Sequence, residues 1–300
     1  MKCKGFLFSL LLLAGVTPSC EKSEDHGPDT LNLTGFRSGN TSELVNVKLK
    51  SGKVTANPVD CYLLGSTLYE SKTGAYGYVD CHGKFNLLDP LTGNPVLSVT
   101  VPEFLSQTVI DTLEGVLIGR TYEETSNYIY KINLETGEVV GRNPVDLSPG
   151  VFACTYYYRA PQKEYVLMKA DSTLVFINPG NGEIVRSPKA AAAPANAYYD
   201  ALQNRLIGVT YDAASDRNFL VTLDAASGVL VHQVQISERN DYYACMSGFD
   251  PETNCYLLLN PDNHILFIDI ETGDNKDSYD IGFQLQEFKF WKGRITESEK

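Results

Sequence analysis

The chain has 300 residues and a formal net charge of −12, from 37 acidic against 25 basic side chains. Apolar residues make up 43% and charged residues 21%, a balance that supports a buried core and excludes extended disorder. The acidic excess argues against a nucleic-acid partner, which calls for a basic face, and beyond the N-terminus no apolar run is long enough to span a bilayer.

The first twenty residues read as an address. Met1-Lys2-Cys3-Lys4 is basic, residues 5–16 are apolar, and Thr17-Pro18-Ser19 offers small residues for cleavage. Cys20 follows at once, then Glu21-Lys22-Ser23-Glu24-Asp25. This resembles a bacterial lipoprotein signal, with Thr17 where the usual box has Leu. The acidic run resembles the export tag of surface lipoproteins in Bacteroidetes. The resemblance implies lipidation at Cys20, membrane attachment through that lipid, and a surface-exposed outer-membrane lipoprotein of the cell envelope. Residues 1–19 are then a signal peptide, 20–30 a flexible tether rich in polar residues, and 31–300 a single domain.

From residue 31 onward one unit recurs: an apolar strand, Asp or Asn, two variable residues, a small polar residue, Gly, and a second strand. Leu88-Asp89-Pro90-Leu91-Thr92-Gly93 and Ile132-Asn133-Leu134-Glu135-Thr136-Gly137 show it fully, and Asn178, Asp224 and Asp269 begin further copies. The glycines Gly52, Gly93, Gly137, Gly182, Gly228 and Gly273 stand 41, 44, 45, 46 and 45 residues apart. Six near-equal periods of that length point to a repeat array. An Asx side chain starts each turn by accepting a backbone N–H two residues on, and Gly supplies the positive φ that closes a short hairpin. The Asx ring is therefore expected to cap turns at the periphery rather than bind a cation.

Four strands fit each period. In the fifth they fall at 197–202, 205–211, 219–224 and 229–234. Four-stranded antiparallel units around an axis define an all-β, six-bladed β-propeller. The first copy has strands at 31–37, 43–49 and 53–59 but lacks an innermost one. The stretch 283–291 is surplus at the C-terminus and is expected to complete that first blade, removing an open sheet edge. The D-x-x-T-G hairpins and six periods resemble the YVTN/PQQ-like, YncE-like propellers.

Propeller sites lie at the axial mouth, and here the starts of the inner strands are rich in aromatic residues. Tyr62, Tyr156, Tyr158, Tyr198, Tyr199, Tyr242, Tyr243 and Trp291 are the ligand-binding candidates, with Phe152, Tyr157 and Phe288 beside them. Tyrosine rings offer stacking faces and hydroxyls, suited to a small molecule, glycan or peptide. Adjacent tyrosines must face opposite sides of a strand, so about half can line the mouth. The histidines His26, His82, His232 and His264 have no metal-ligand spacing, and no cofactor or metal is expected. The cysteines of the body, Cys61, Cys81, Cys154, Cys245 and Cys255, are odd in number and read as separate buried thiols; Cys245 and Cys255 flank a turn and could bridge.

One segment, Leu68-Tyr69-Glu70-Ser71-Lys72-Thr73-Gly74-Ala75-Tyr76-Gly77, resembles a motif of propeller glutaminyl cyclases. That resemblance implies Glu70 as a proton-transfer residue, although Lys72 interrupts the motif and the family is five-bladed. The function expected from the whole chain is a non-catalytic binding or interaction module, a surface nutrient-capture accessory of an outer-membrane transporter. A glutaminyl-peptide cyclotransferase and a structural scaffold in an envelope complex are the alternatives.

Overall fold

The computed structural model describes residues 31–37, 42–70, 73–123, 126–148, 150–237 and 247–292. They form six four-stranded antiparallel sheets arranged as the blades of a propeller. Blades 2 to 6 are sequential; blade 2 runs Leu68–Glu70, Ala75–Val79, Lys84–Leu88, Pro95–Thr100, from axis to rim. Blade 1 takes its inner strand, Gln286–Lys292, from the C-terminus; it pairs antiparallel with Leu31–Arg37, which leads to Ser42–Lys48 and Lys53–Val59. The tail therefore closes the ring as its surplus strand required. The closing strand begins later than 283 because residues 281–285 cross from blade 6, where Leu285 is fully buried in the core shared with blade 1.

Each turn forms as its residues dictate. The Gly N–H bonds the carbonyl four residues back, at 2.7 to 2.9 Å in all six copies, and these glycines hold φ between 66° and 75°. The side chains of Asp89, Asn133, Asn178, Asp224 and Asp269 each accept the N–H two residues on, at 2.8 to 3.1 Å. Burial alternates in the outer strands, as in Pro95–Thr100 and Leu230–Ile236, whereas second strands such as Cys255–Leu259 are buried throughout. The core is six apolar clusters, one between each pair of neighbouring blades.

A second period, of two blades, lies over the first. The inner strands of blades 1, 3 and 5 carry Glu287, Gln107 and Asn196, buried polar residues with φ of 55°, 53° and 51°. The pairing with the second strand shifts register at each of them. The carbonyls of these residues accept hydroxyls from Tyr76, Tyr165 and Tyr256 on the second strands of blades 2, 4 and 6, at 2.7, 2.6 and 2.7 Å. Opposite each bulge stands a glycine, Gly35, Gly119 or Gly208. A Cβ at Gly35 would lie 2.7 Å from the Gln286 carbonyl oxygen, which leaves no room for a side chain.

The cysteines depart from the expected separate thiols. Cys61 and Cys81 form a disulfide across a sequence separation of 20, because the crossing from blade 1 to blade 2 lies beside the hairpin of blade 2 on the same face. Cys154 is also disulfide-bonded, to a sulfur outside the described residues, and Cys255 is a free, buried thiol.

Candidate functional site

The inner strands surround a cavity of about 450 Å³ lined by residues of blades 1 to 5. Thr67 to Glu70, Thr108 to Ile110 and Tyr156 to Tyr158 contribute, together with Tyr198, Lys289 and Phe290. Apart from Thr67 and Leu68, which open the short inner strand of blade 2, these positions lie in the middle or toward the ends of the inner strands. Near the starts the axis is crossed by a polar collar. Glu287 accepts the Gly65 N–H at 2.7 Å and the Thr67 hydroxyl at 2.6 Å. The Gln107 N–H donates to the Gly65 carbonyl at 2.5 Å, and its side-chain amide donates to the Phe152 carbonyl at 2.8 Å.

Of the expected ligand residues, Tyr156, Tyr158 and Tyr198 line this cavity together. Strand alternation divides the pairs as it must: Tyr156 and Tyr158 pack toward blade 3 and Tyr157 toward blade 5, while Tyr198 packs toward blade 6 and Tyr199 toward blade 4. Tyr199 stacks on Tyr157 with ring centroids 4.4 Å apart and lies outside the cavity lining. Tyr62 stacks on Phe36 at 3.8 Å between blades 1 and 2, and its hydroxyl donates to Gln286. Trp291 is buried at the ring seam, donates from Nε1 to the Thr34 hydroxyl at 2.9 Å, and stacks over Tyr69, itself a cavity residue. Phe288 is core. Tyr242, Tyr243 and Cys20 lie outside the described residues.

Glu70 also lines the cavity. Its Oε2 accepts both the backbone N–H and the hydroxyl of Thr73, at 2.7 and 2.5 Å, so the carboxylate holds the turn that follows its strand.

The wall chemistry is specific. The Thr67 hydroxyl donates to Glu287, Thr108 to the Ser66 carbonyl, Tyr156 to the Thr67 carbonyl and Tyr158 to the Asp111 carboxylate. The threonines are buried, Thr67 at 1% and Thr108 at 0% exposure, whereas Tyr156 and Tyr158 are partly exposed and, with their protons committed to the protein, keep acceptor capacity for a guest. Burial holds the Tyr156, Tyr158 and Tyr198 phenols above their usual range, with Glu287, Asp111 and Asp200 respectively adding to it. Burial, then Glu70, pushes Tyr69 up to about 12. All four rings are therefore neutral at physiological pH.

Lys289 is the one cation lining the cavity among the described residues. It is enclosed by protein but keeps part of its surface open to the cavity, and burial lowers its pKa against the pull of Glu287. Burial likewise raises the Glu287 carboxyl, which the Lys289 charge and the Thr67 and Gly65 donors partly offset. Lys289, Glu287 and Thr67 escaped the sequence reading. Glu287 and Lys289, placed on either side of Phe288 within the closing strand, were the available signal.

No family model matches the chain, and no curated protein matches it in sequence. Solved structures do resemble it in fold. TolB from Acinetobacter baumannii superposes with a TM-score of 0.66 at 13% identity, over 88% of this chain and 67% of that one. A chain of a nidogen/laminin complex gives 0.57 at 11% identity, over 87% and 98%. The WD40 β-propeller domain of Doa1 gives 0.54 at 13% identity, over 84% and 80%. These likenesses establish the propeller fold, an architecture consistent with a binding or interaction module.

Proposed function

We propose that the chain is a binding module whose axial cavity captures a small, hydroxyl-rich ligand of the saccharide class. The observation that supports this most is the wall itself: tyrosine rings for stacking, the Tyr156 and Tyr158 oxygens whose protons are already donated to the protein, and Lys289 as the one cation among the described lining. A ligand that brings many O–H donors and an apolar ring face matches such a surface better than one rich in acceptors. The lipoprotein-like N-terminus supports placing this module on a leash at the outer surface of the envelope, where it would serve an outer-membrane transporter. The D-x-x-T-G hairpins support kinship with YVTN/PQQ-like propellers.

A thermal-shift screen of mono- and oligosaccharides tests the binding reading. A ligand present at about a hundredfold excess over its Kd should stabilise the fold by about 2.7 kcal/mol. Tyr198→Ala should abolish that shift, measured against the variant's own unliganded midpoint, which falls because the ring also packs on the core between blades 5 and 6. Ammonia release from a Gln-initiated peptide, lost in Glu70→Gln, would replace binding by catalysis. Intact-mass analysis of the mature N-terminus tests the anchor, since acylation at Cys20 adds the mass of the lipid and Cys20→Ala removes it.

A further inference from the structure

On the opposite face, between the end of blade 3 and the crossing to blade 4, lies a larger cavity of about 750 Å³. It is lined in part by Arg120, Tyr122, Ser126, Asn127, Asp146 and Ser148. Arg120 is out of place by the logic of the fold. It directly follows Gly119, the glycine that faces the blade 3 bulge. The residues that follow the corresponding glycines in blades 1 and 5 are Phe36 and Val209, both fully buried in apolar cores. All three stand opposite a buried apolar residue of the third strand, Leu44, Ile129 or Leu220. Only blade 3 spends this position on a charge.

Among the described residues, no carboxylate pairs with that charge. Arg37 pairs with Glu43, Arg142 with Glu123, Arg159 and Arg186 with Glu164, and Arg205 with Asp200. Arg120 instead donates from Nε to the Gln107 amide oxygen at 2.5 Å and from Nη1 to the Asn127 amide oxygen at 2.7 Å. Neutral acceptors orient the guanidinium without cancelling it, and the structure gives Nη2 no partner among the described residues. Glu123, three residues further along the same strand, is occupied by Arg142 and Tyr130. The one carboxylate in the described lining, Asp146, is exposed and accepts the Ser148 N–H at 3.0 Å. A half-buried arginine, fixed by two amides and facing an open cavity, is a fork prepared for a planar or tetrahedral oxyanion.

We propose that this cavity is a second ligand site, in which Arg120 holds the carboxylate or phosphate group of a bound molecule. It is independent of the axial cavity and of what binds there.

The test titrates the whole protein at fixed ionic strength with inorganic phosphate, followed by ³¹P line broadening, and separately with ¹³C-labelled acetate. Saturable broadening is expected in at least one arm, and the arm that responds assigns the group. Arg120→Val carries the residue that blade 5 has at this place, and should weaken binding by about tenfold or more, the loss expected for charge-assisted hydrogen bonds. Asp146→Asn should strengthen it. Should Arg120→Val fail to fold, phenylglyoxal labelling of the wild-type protein supplies the second readout. Arg120 must react, and the responding oxyanion must protect it while leaving exposed Arg217 reactive. Absence of saturable broadening in both arms, equal binding by Arg120→Val, or unprotected Arg120 would each overturn the proposal.

Discussion

Replacing Phe288 by Ala attacks the ring at its closure. The side chain is fully buried in the cluster that joins blade 6 to blade 1, among Leu33, Val45, Leu257 and Phe267. Burying an aromatic side chain removes about 175 Å² from water, or about 4 kcal/mol at about 25 cal/mol/Å². Measured Phe→Ala losses of about 3–5 kcal/mol agree. Against a typical domain stability of about 5–15 kcal/mol, the variant should remain folded but lose a large share of its margin. The chain supplies its own reporter, because its one tryptophan is Trp291, in the closing strand and 5% exposed. Urea unfolding followed by Trp291 fluorescence and by far-UV circular dichroism should give coincident transitions in the wild-type protein, with the midpoint of Phe288→Ala shifted down. A loss below about 1 kcal/mol, or native emission typical of a hydrated indole, would refute the reasoning that this strand locks the ring.

Tyr165→Phe removes the hydroxyl that satisfies the buried Gln107 carbonyl and should cost about 1–3 kcal/mol by urea denaturation, with the fold intact. Replacing Cys61 and Cys81 together by Ser frees a loop of 20 residues and should cost about 3 kcal/mol, read as a fall in midpoint under oxidising conditions; reducing agent, which also opens the Cys154 bridge, should lower the wild-type midpoint at least as far. For Glu287 the sign follows from a folded pKa raised above the ordinary 4.5. The stability it contributes is fully present below 4.5 and is lost as pH rises through the folded value. The difference in unfolding free energy between wild type and Glu287→Gln should therefore move in favour of Gln as pH increases across that window; a pH-independent difference would contradict the burial of this carboxyl. In the axial cavity, Lys289→Met removes the charge that partly offsets the rise of the Glu287 carboxyl, so in that background the Glu287-dependent change in stability, read by urea denaturation, should move to higher pH.

The blade count, hairpins and ring closure were legible because they rest on local chemistry repeated six times: an Asx that starts a turn and a Gly that can hold positive φ. The tyrosines of the axial cavity were partly legible, since strand alternation forces one of each adjacent pair toward each neighbouring blade. Their position along the axis was not, because bulges at Gln107, Asn196 and Glu287 shift the register and leave no mark in an alternating pattern. The Cys61–Cys81 bridge was hidden for another reason: the distance between a crossing and a hairpin is a property of the assembled ring. Arg120 had a signal that the single-blade period obscured. Aligning Gly35, Gly119 and Gly208 sets it beside Phe36 and Val209, and the mismatch then stands out.

The alternation of bulged and tyrosine-bearing blades constrains how such a ring can grow or shrink. A circle with an odd number of blades would set two of the same kind side by side, leaving either a main-chain carbonyl with no phenol to meet it or a phenol facing regular strand. Insertions and deletions that keep these two kinds of blade alternating around the circle must therefore come as couples.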